Sequence, residues 1–466
     1  MRKYIPFLTV WLVLILTPLV AAQPGIFAVM PISSDPYTNP DAQHQTQLNM
    51  ASFAYGDTIV AAFESGRYQT EGGATNIGWA VSNDGGNSYS IGFLPGTTPY
   101  STPPGPWSRV LHPAVAYDAR HNVWLITAAT SSPSDGIVSR STDGGLSWSD
   151  PIVVSQDAHD QSTVACDNTF SSQYYGQCYF LSHGDWWSII VETSTDGGKT
   201  WVPTTVLPVN GFYPQVTVRP NGMVVVVLRM FNLDGPQPYV SVVSLNAGQD
   251  WSRFRRLLYP QRTYHPFEFG GEPSLAVDDS GKVYVAFVDC RFRQACGSQT
   301  SDIVLTTATN GRYWSRLTRV PIDSPTSSAS YFIPGLAVTG SGNTARLALT
   351  YYYFPDADCD LSTCQLYVGF ISSADGGMTW AQPQALAGPM NLSWLPPADE
   401  PGKVVLTRYI SATFVEADAV SVFAVAAPPI GDMIQLAAWG AINPVAATGN
   451  YSLPLRAEPS RGDPSR

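Results

Sequence analysis

The chain is expected to be an all-β protein, a seven-bladed β-propeller of four-stranded antiparallel blades, with a six-bladed ring plus a C-terminal extra as the alternative. Three observations lead there: an octapeptide that recurs along most of the chain, a strand-turn-strand segment ahead of each copy, and a composition rich in turn formers and aromatics. Of 466 residues, 39 are Gly, 38 are Pro, 12% are aromatic and only 13% are charged. Disorder does not fit so many aromatic residues. With 25 Lys+Arg against 36 Asp+Glu and no basic block, neither does a nucleic-acid or anionic-membrane partner.

The octapeptide is Ser-x-Asp-x-Gly-x-x-aromatic. It stands as SNDGGNSY from Ser82, STDGGLSW from Ser141, STDGGKTW from Ser194 and SADGGMTW from Ser373, with degenerate copies SLNAGQDW from Ser244 and TATNGRYW from Thr307. Anchored on Asp84, Asp143, Asp196, Asn246, Asn310 and Asp375, the copies are spaced by 59, 53, 50, 64 and 65 residues, a period of stacked or radial units. Asp-Gly-Gly is hairpin-turn chemistry, in which Gly takes positive φ and Asp accepts bonds from the turn's own N–H groups. These aspartates are therefore read as turn stabilisers, not catalysts.

Upstream segments such as HPAVAYDARHNVWLITAAT from His112, YPQVTVRPNGMVVVVLRM from Tyr213 and EPSLAVDDSGKVYVAFVDC from Glu272 each read as two strands around a turn. Counting YISATFVEADAVSVFAVAA from Tyr409, seven such units are present. The last lacks a fourth strand, and IFAVMPI (26–32) is expected to supply it, hiding two sheet edges at once. The propeller is expected over 23–455 as one domain, with a disordered tail at 456–466.

Arg2 and Lys3, the apolar run up to Val20, and Ala21-Ala22 form an export signal, with cleavage expected after Ala22 and a secreted product. No other stretch is long and apolar enough to span a membrane. In an exported chain six cysteines read as disulfides, and their spacing suggests three local pairs: Cys166 with Cys178, Cys290 with Cys296, and Cys359 with Cys364. No zinc spacing, G-x-S-x-G elbow or nucleotide-binding glycine motif occurs. No cofactor is expected; the loop Asp356-Ala357-Asp358-Cys359-Asp360 resembles the start of a calcium loop but lacks the glycine at its sixth position and has Tyr367 where a terminal Glu would sit, so a solvated loop stapled by Cys359 and Cys364 is the first reading and a structural calcium site the alternative.

The octapeptides resemble the Asp-boxes of the sialidase superfamily, and with their flanking strands the match covers most of the chain. The resemblance implies a secreted, monomeric exo-α-sialidase-type glycoside hydrolase acting on the terminal acidic sugar of a glycoconjugate. It further implies an arginine clamp for the sugar carboxylate, a Tyr nucleophile activated by Glu, and an Asp acid/base. In a four-stranded blade, a pocket on the face away from the boxes draws on the ends of second strands and the starts of first strands. Placed on those positions, the clamp falls to Arg229, Arg291 and Arg408, with Arg67 or Arg293 as substitutes. Tyr409 is then the nucleophile, Glu272 its base and Asp160 the acid/base.

Alternatives stay open for these residues. Arg291 and Arg293 flank the DCRFRQAC loop and would equally brace it by pairing with Asp289 or Asp302, and His112, His159 and His265 read as loop hydrogen-bonders. The family's Arg-Ile-Pro before the first box is absent, and seven units stand where sialidases have six. A non-catalytic propeller that binds glycans or proteins is the main alternative function. A polysaccharide lyase using Tyr264 and His265 is a third.

Overall fold

The computed structural model describes residues 28–444, apart from positions 71, 157, 159, 236, 262–271, 295, 298, 399, 400 and 432. The expected export signal, the C-terminal tail, His159, Tyr264 and His265 lie outside the described residues. Among those described there are twenty-eight strands, three short 3-10 turns and no α-helix. Among the described residues no helix is long and apolar enough to cross a membrane.

The strands fall in chain order into antiparallel groups of four, spanning 42–93, 109–156, 162–206, 211–258, 274–319 and 330–391. Three further strands at 411–444 take Ala28–Pro31 as their fourth; it runs antiparallel to Met433–Pro444, with Val29 opposite Ala441. This is the pairing expected for the segment at 26–32. The groups between 162 and 391 are separate four-stranded sheets. The first, second and last join into one 12-stranded sheet through Thr46 beside Leu436 and Ala74 beside Val110.

The hydrogen-bonded ladders do not close on one another, but the packing runs in a circle. The first strands, Ala42–Tyr55, Arg109–Asp118, Ser162–Cys166, Gly211–Val218, Ser274–Val277, Ser330–Thr339 and Ser411–Val415, each pack against the next, and the last packs against the first. Apolar clusters fill the spaces between consecutive groups. Val60, Trp79, Trp124 and Ile126 fill one such space, and Leu181, Val191, Val226 and Val242 another. Phe370, Phe423 and Leu48 bring the sixth, last and first groups together. Second strands such as Val123–Ser131 are buried along nearly their whole length because both faces are covered, which explains their unbroken apolar sequence.

All six octapeptides lie at the turn between third and fourth strands. In STDGGLSW, Ser141 Oγ donates to Asp143 (2.8 Å) and accepts from Gly145 N–H (2.9 Å), while Asp143 accepts from Ser147 N–H (3.0 Å). Asp84, Asp196 and Asp375 make the same set of bonds. Gly145 sits at φ +90°, where a Cβ would lie 2.9 Å from Val81 of the preceding group. Glycine is thus needed both for the backbone angle and for the close approach. The disulfides are Cys166–Cys178, Cys290–Cys296 and Cys359–Cys364, each inside one group. In the loop after Phe354, Asp360 accepts four bonds from Ser362 and Thr363, and Asp356 accepts from Asp358 N–H, so these carboxylates shape the loop's own turns.

Candidate active site at one mouth of the central cavity

The seven first strands enclose a cavity of about 400 Å³. Counting back the same offset from the turn that ends each first strand gives Asn49, His112, Gln161, Tyr213, Glu272, Ile333 and Tyr409. These positions ring the mouth opposite the octapeptide turns. Asn49, His112, Tyr213 and Ile333 have φ between 51° and 58°, and in each of their strands a β-bulge falls at that place. A left-handed non-glycine residue costs about 1–2 kcal/mol, and bulges of this kind re-aim a side chain. Proline follows three of the four, as Pro113, Pro214 and Pro334, where the bulge leaves no ladder bond for an N–H to make.

The side chains at this mouth form a polar network. Glu64, at the end of a second strand, accepts from His112 N–H (2.8 Å) and Asn49 Nδ2 (2.7 Å). Asn49 also accepts from Arg408 N–H (2.9 Å), tying the last group to the first. His112 Nε2 lies 3.0 Å from Asp160, and Arg408 Nη1 lies 4.0 Å from the other oxygen of that carboxylate. Glu272 accepts from Gln161 Nε2 (2.6 Å). The Arg408 side chain is 42% exposed and that of Asp160 26%, whereas His112, Gln161 and Glu272 are buried.

These surroundings drive the two carboxyl groups in opposite directions. Burial pushes Glu272 up to about 7, more than the charges of His112 and Arg408 pull it down. Burial also acts on Asp160, but the hydrogen bond from His112 and the charges of His112 and Arg408 outweigh it and hold this group well below the usual carboxylate range. His183, buried beside them, is pushed down to about 4 by burial, more than the charge of Asp160 raises it.

Tyr409, Glu272, Asp160 and Arg408 are therefore brought together, but in different relations from those the resemblance implies. The Tyr409 hydroxyl donates to the Pro113 carbonyl (3.1 Å), and burial pushes it well above its ordinary range. A hydroxyl so placed is a donor that fixes the ring beside His112, 6.2 Å between centroids, rather than a ready nucleophile.

The five arginines do not converge. Among them Arg408 lines the cavity. Arg291 is held by Asp289 (2.8 Å) and by the Tyr259 carbonyl (2.7 Å), the bracing role. Arg293 is fully buried between Asp302 (2.8 Å) and Asp323 (3.0 Å), in a cluster shared with Arg319. Arg67 is buried against Gln43 (3.0 Å), and Arg229 donates to Gln237 (2.5 Å). Sequence reasoning passed over Gln161, Tyr213 and His183 as site residues and left His112 as a loop residue. The recurrent X-Pro within the first strands, as His112-Pro113, Tyr213-Pro214 and Ile333-Pro334, is the signal that could have found His112 and Tyr213.

No protein-family model matches the chain, and no curated protein matches its sequence. Solved structures do match. A polysaccharide lyase, an ulvan lyase, is similar with a TM-score of 0.50 at 12% identity, over 90% of this chain and 96% of its own. The endosialidase of phage phi92 matches at 0.49 and 12% identity, over 93% and 72%. A leech intramolecular trans-sialidase matches at 0.45 and 13% identity, over 66% of this chain. The chain spans about two thirds, 65%, of that leech protein and 66% of a Hadza microbial sialidase. At 12% identity the likeness to the ulvan lyase is one of fold: an all-β architecture of the same kind carries the site described above.

Proposed function

We propose that this chain is a secreted, carbohydrate-active hydrolase of sialidase-like type, a seven-bladed propeller that cleaves a glycosidic bond beside an acidic sugar. The observation that carries the reading is the meeting of Glu272, Asp160 and the partly exposed Arg408 guanidinium at one mouth of the cavity, where burial raises the first carboxyl and His112 and Arg408 lower the second. Two neighbouring carboxyl groups with protonation levels pushed apart suit an acid and an ionised partner. Glu272, kept partly protonated near neutrality by its burial, donates its proton to the departing oxygen. Asp160 stays ionised and stabilises the positive charge that develops on the sugar ring while a water molecule adds to the anomeric carbon and gives up a proton that restores Glu272. Arg408 binds the substrate's carboxylate by charge-assisted hydrogen bonds. Tyr409 and Glu64 act one step back, positioning His112. The scheme uses no metal or cofactor. Three disulfides suit an oxidising compartment, which supports secretion.

The test is hydrolysis of a fluorogenic sialoside and of uronic-acid and neutral glycosides by the purified protein. Glu272→Gln and Asp160→Asn are expected to lower kcat by about 10²–10⁴-fold in folded protein. Arg408→Ala should raise KM for acidic substrates while leaving neutral ones unaffected. Activity that depends on protonated Glu272 should fall as pH rises through about 7. Full activity in Glu272→Gln would sink the assignment.

A second reading, β-elimination at a uronate, is favoured by the approach of a single arginine to the cavity, enough to neutralise one carboxylate. It predicts an unsaturated product from a uronate polymer in the same panel. Silence across all substrates moves the weight to a glycan-binding propeller.

A further inference from the structure

We propose that Trp186 and Trp187 form a shelf on which a second sugar ring of the substrate chain stacks, so that the site works on oligosaccharide or polysaccharide chains rather than isolated sugars. This deepens the reading of Glu272, Asp160 and Arg408 as a glycan-cleaving site and rests on it. The two tryptophans follow the second strand Cys178–His183, at the same end of the molecule as Arg408. Trp186 is 84% exposed and Trp187 38%, an unusual use of the largest apolar side chain.

Their backbone is also strained. Both residues are left-handed, at φ 56° and 61°, a combination that persists only when the surroundings hold it. The holding bonds are present: Asn210 Nδ2 donates to the Trp186 carbonyl (3.0 Å), and Gly184 N–H to the Ser188 carbonyl (2.9 Å). These bonds fix the backbone from which the exposed Trp186 indole projects.

An aromatic path links the shelf to the site. Trp187 packs on Phe212, 4.6 Å between ring centroids, and on His183 at 5.7 Å. Phe212 adjoins Tyr213, one of the residues ringing the cavity mouth. His183 lies close enough to Asp160 to feel the charge of its carboxylate. A glycan held by its acidic ring at Arg408 and running outward over these rings would lay the apolar C–H face of its next ring on an indole. Large aromatic surfaces with a few polar anchors are the usual furniture of such sites.

The experiment is calorimetric titration of the full chain carrying Glu272→Gln, with a sialylated and a uronate-containing tetrasaccharide and their parent acidic monosaccharides. At least one tetrasaccharide is expected to bind ten-fold or more tighter than its monosaccharide. That advantage should disappear with Trp186→Ala and return with Trp186→Tyr, while monosaccharide binding stays unchanged. Trp186 packs so little that its replacement leaves the fold intact. No chain-length advantage in the parent protein, or the same advantage in Trp186→Ala, overturns the shelf. A Trp186-dependent advantage in a protein that cleaves none of the panel supports the shelf and removes the hydrolase reading.

Discussion

Burial pushes Glu272 and Glu192 to about the same level, about 7 from 4.5, yet the two side chains have different surroundings. Glu272 borders the cavity mouth, whereas Glu192 sits inside a sheet on the third strand Ile189–Ser194, with Oε2 lacking a partner. Between pH 4.5 and 7 the unfolded chain has released that proton and the folded chain keeps it, so stability falls as pH rises through this window. His183 opposes this: its folded level near 4 makes stability fall as pH drops from 6.5 toward 4. Glu192→Gln isolates the glutamate term. It should stabilise the protein by about 1–3 kcal/mol at pH 7 and by little at pH 4.5, measured by denaturant unfolding at both values. Much of the residue scale was readable in advance for Asp160, Glu272, Arg408 and Tyr409, because strand starts on one face must share a mouth. Arg67, Arg229, Arg291 and Arg293 were not separable from them, since a charged residue at a strand end looks the same whether it faces a ligand or pairs with Asp289 or Asp302.

The octapeptide turns show what recurrence in a sequence can and cannot convey. Their place between third and fourth strands follows from turn chemistry alone, but the lean of Gly145 onto Val81 of the preceding group depends on packing that local sequence does not encode. Within the turn the buried hydroxyl matters more than the exposed carboxylate. Ser141→Ala leaves the buried Gly145 N–H without its acceptor and should cost about 1–3 kcal/mol, read as a lower denaturation midpoint at unchanged slope. A loss no larger than that of a surface substitution would contradict this ranking. The bulges at Asn49, His112, Tyr213 and Ile333 were hidden for a related reason: an alternating strand pattern predicts direction and length, whereas an extra residue with positive φ is set by the neighbouring strand.

At the scale of the molecule, the cyclic packing of first strands brings together residues far apart in the chain, such as Asn49 and Arg408 or Gln161 and Glu272. Apolar clusters between every pair of consecutive groups make each group depend on two neighbours, so loss of one should be felt all round. Removing the segment through Ile32 would uncover the edge of Met433–Pro444 and leave empty the core space that the fully buried Ile32 fills. The shortened protein is expected to melt at lower temperature and to self-associate through that edge, seen by calorimetry and size-exclusion chromatography. The same pairing sets Ala28 opposite Ile442, so the two ends of the described chain are neighbours. Joining them through a short linker and opening the chain instead at the turn after Tyr55 would give a circular permutant with every group built from contiguous sequence except the first. In the natural order Ala28–Pro31 must wait for Met433–Pro444 before it can pair, so the ring is completed only after the seventh group has been made.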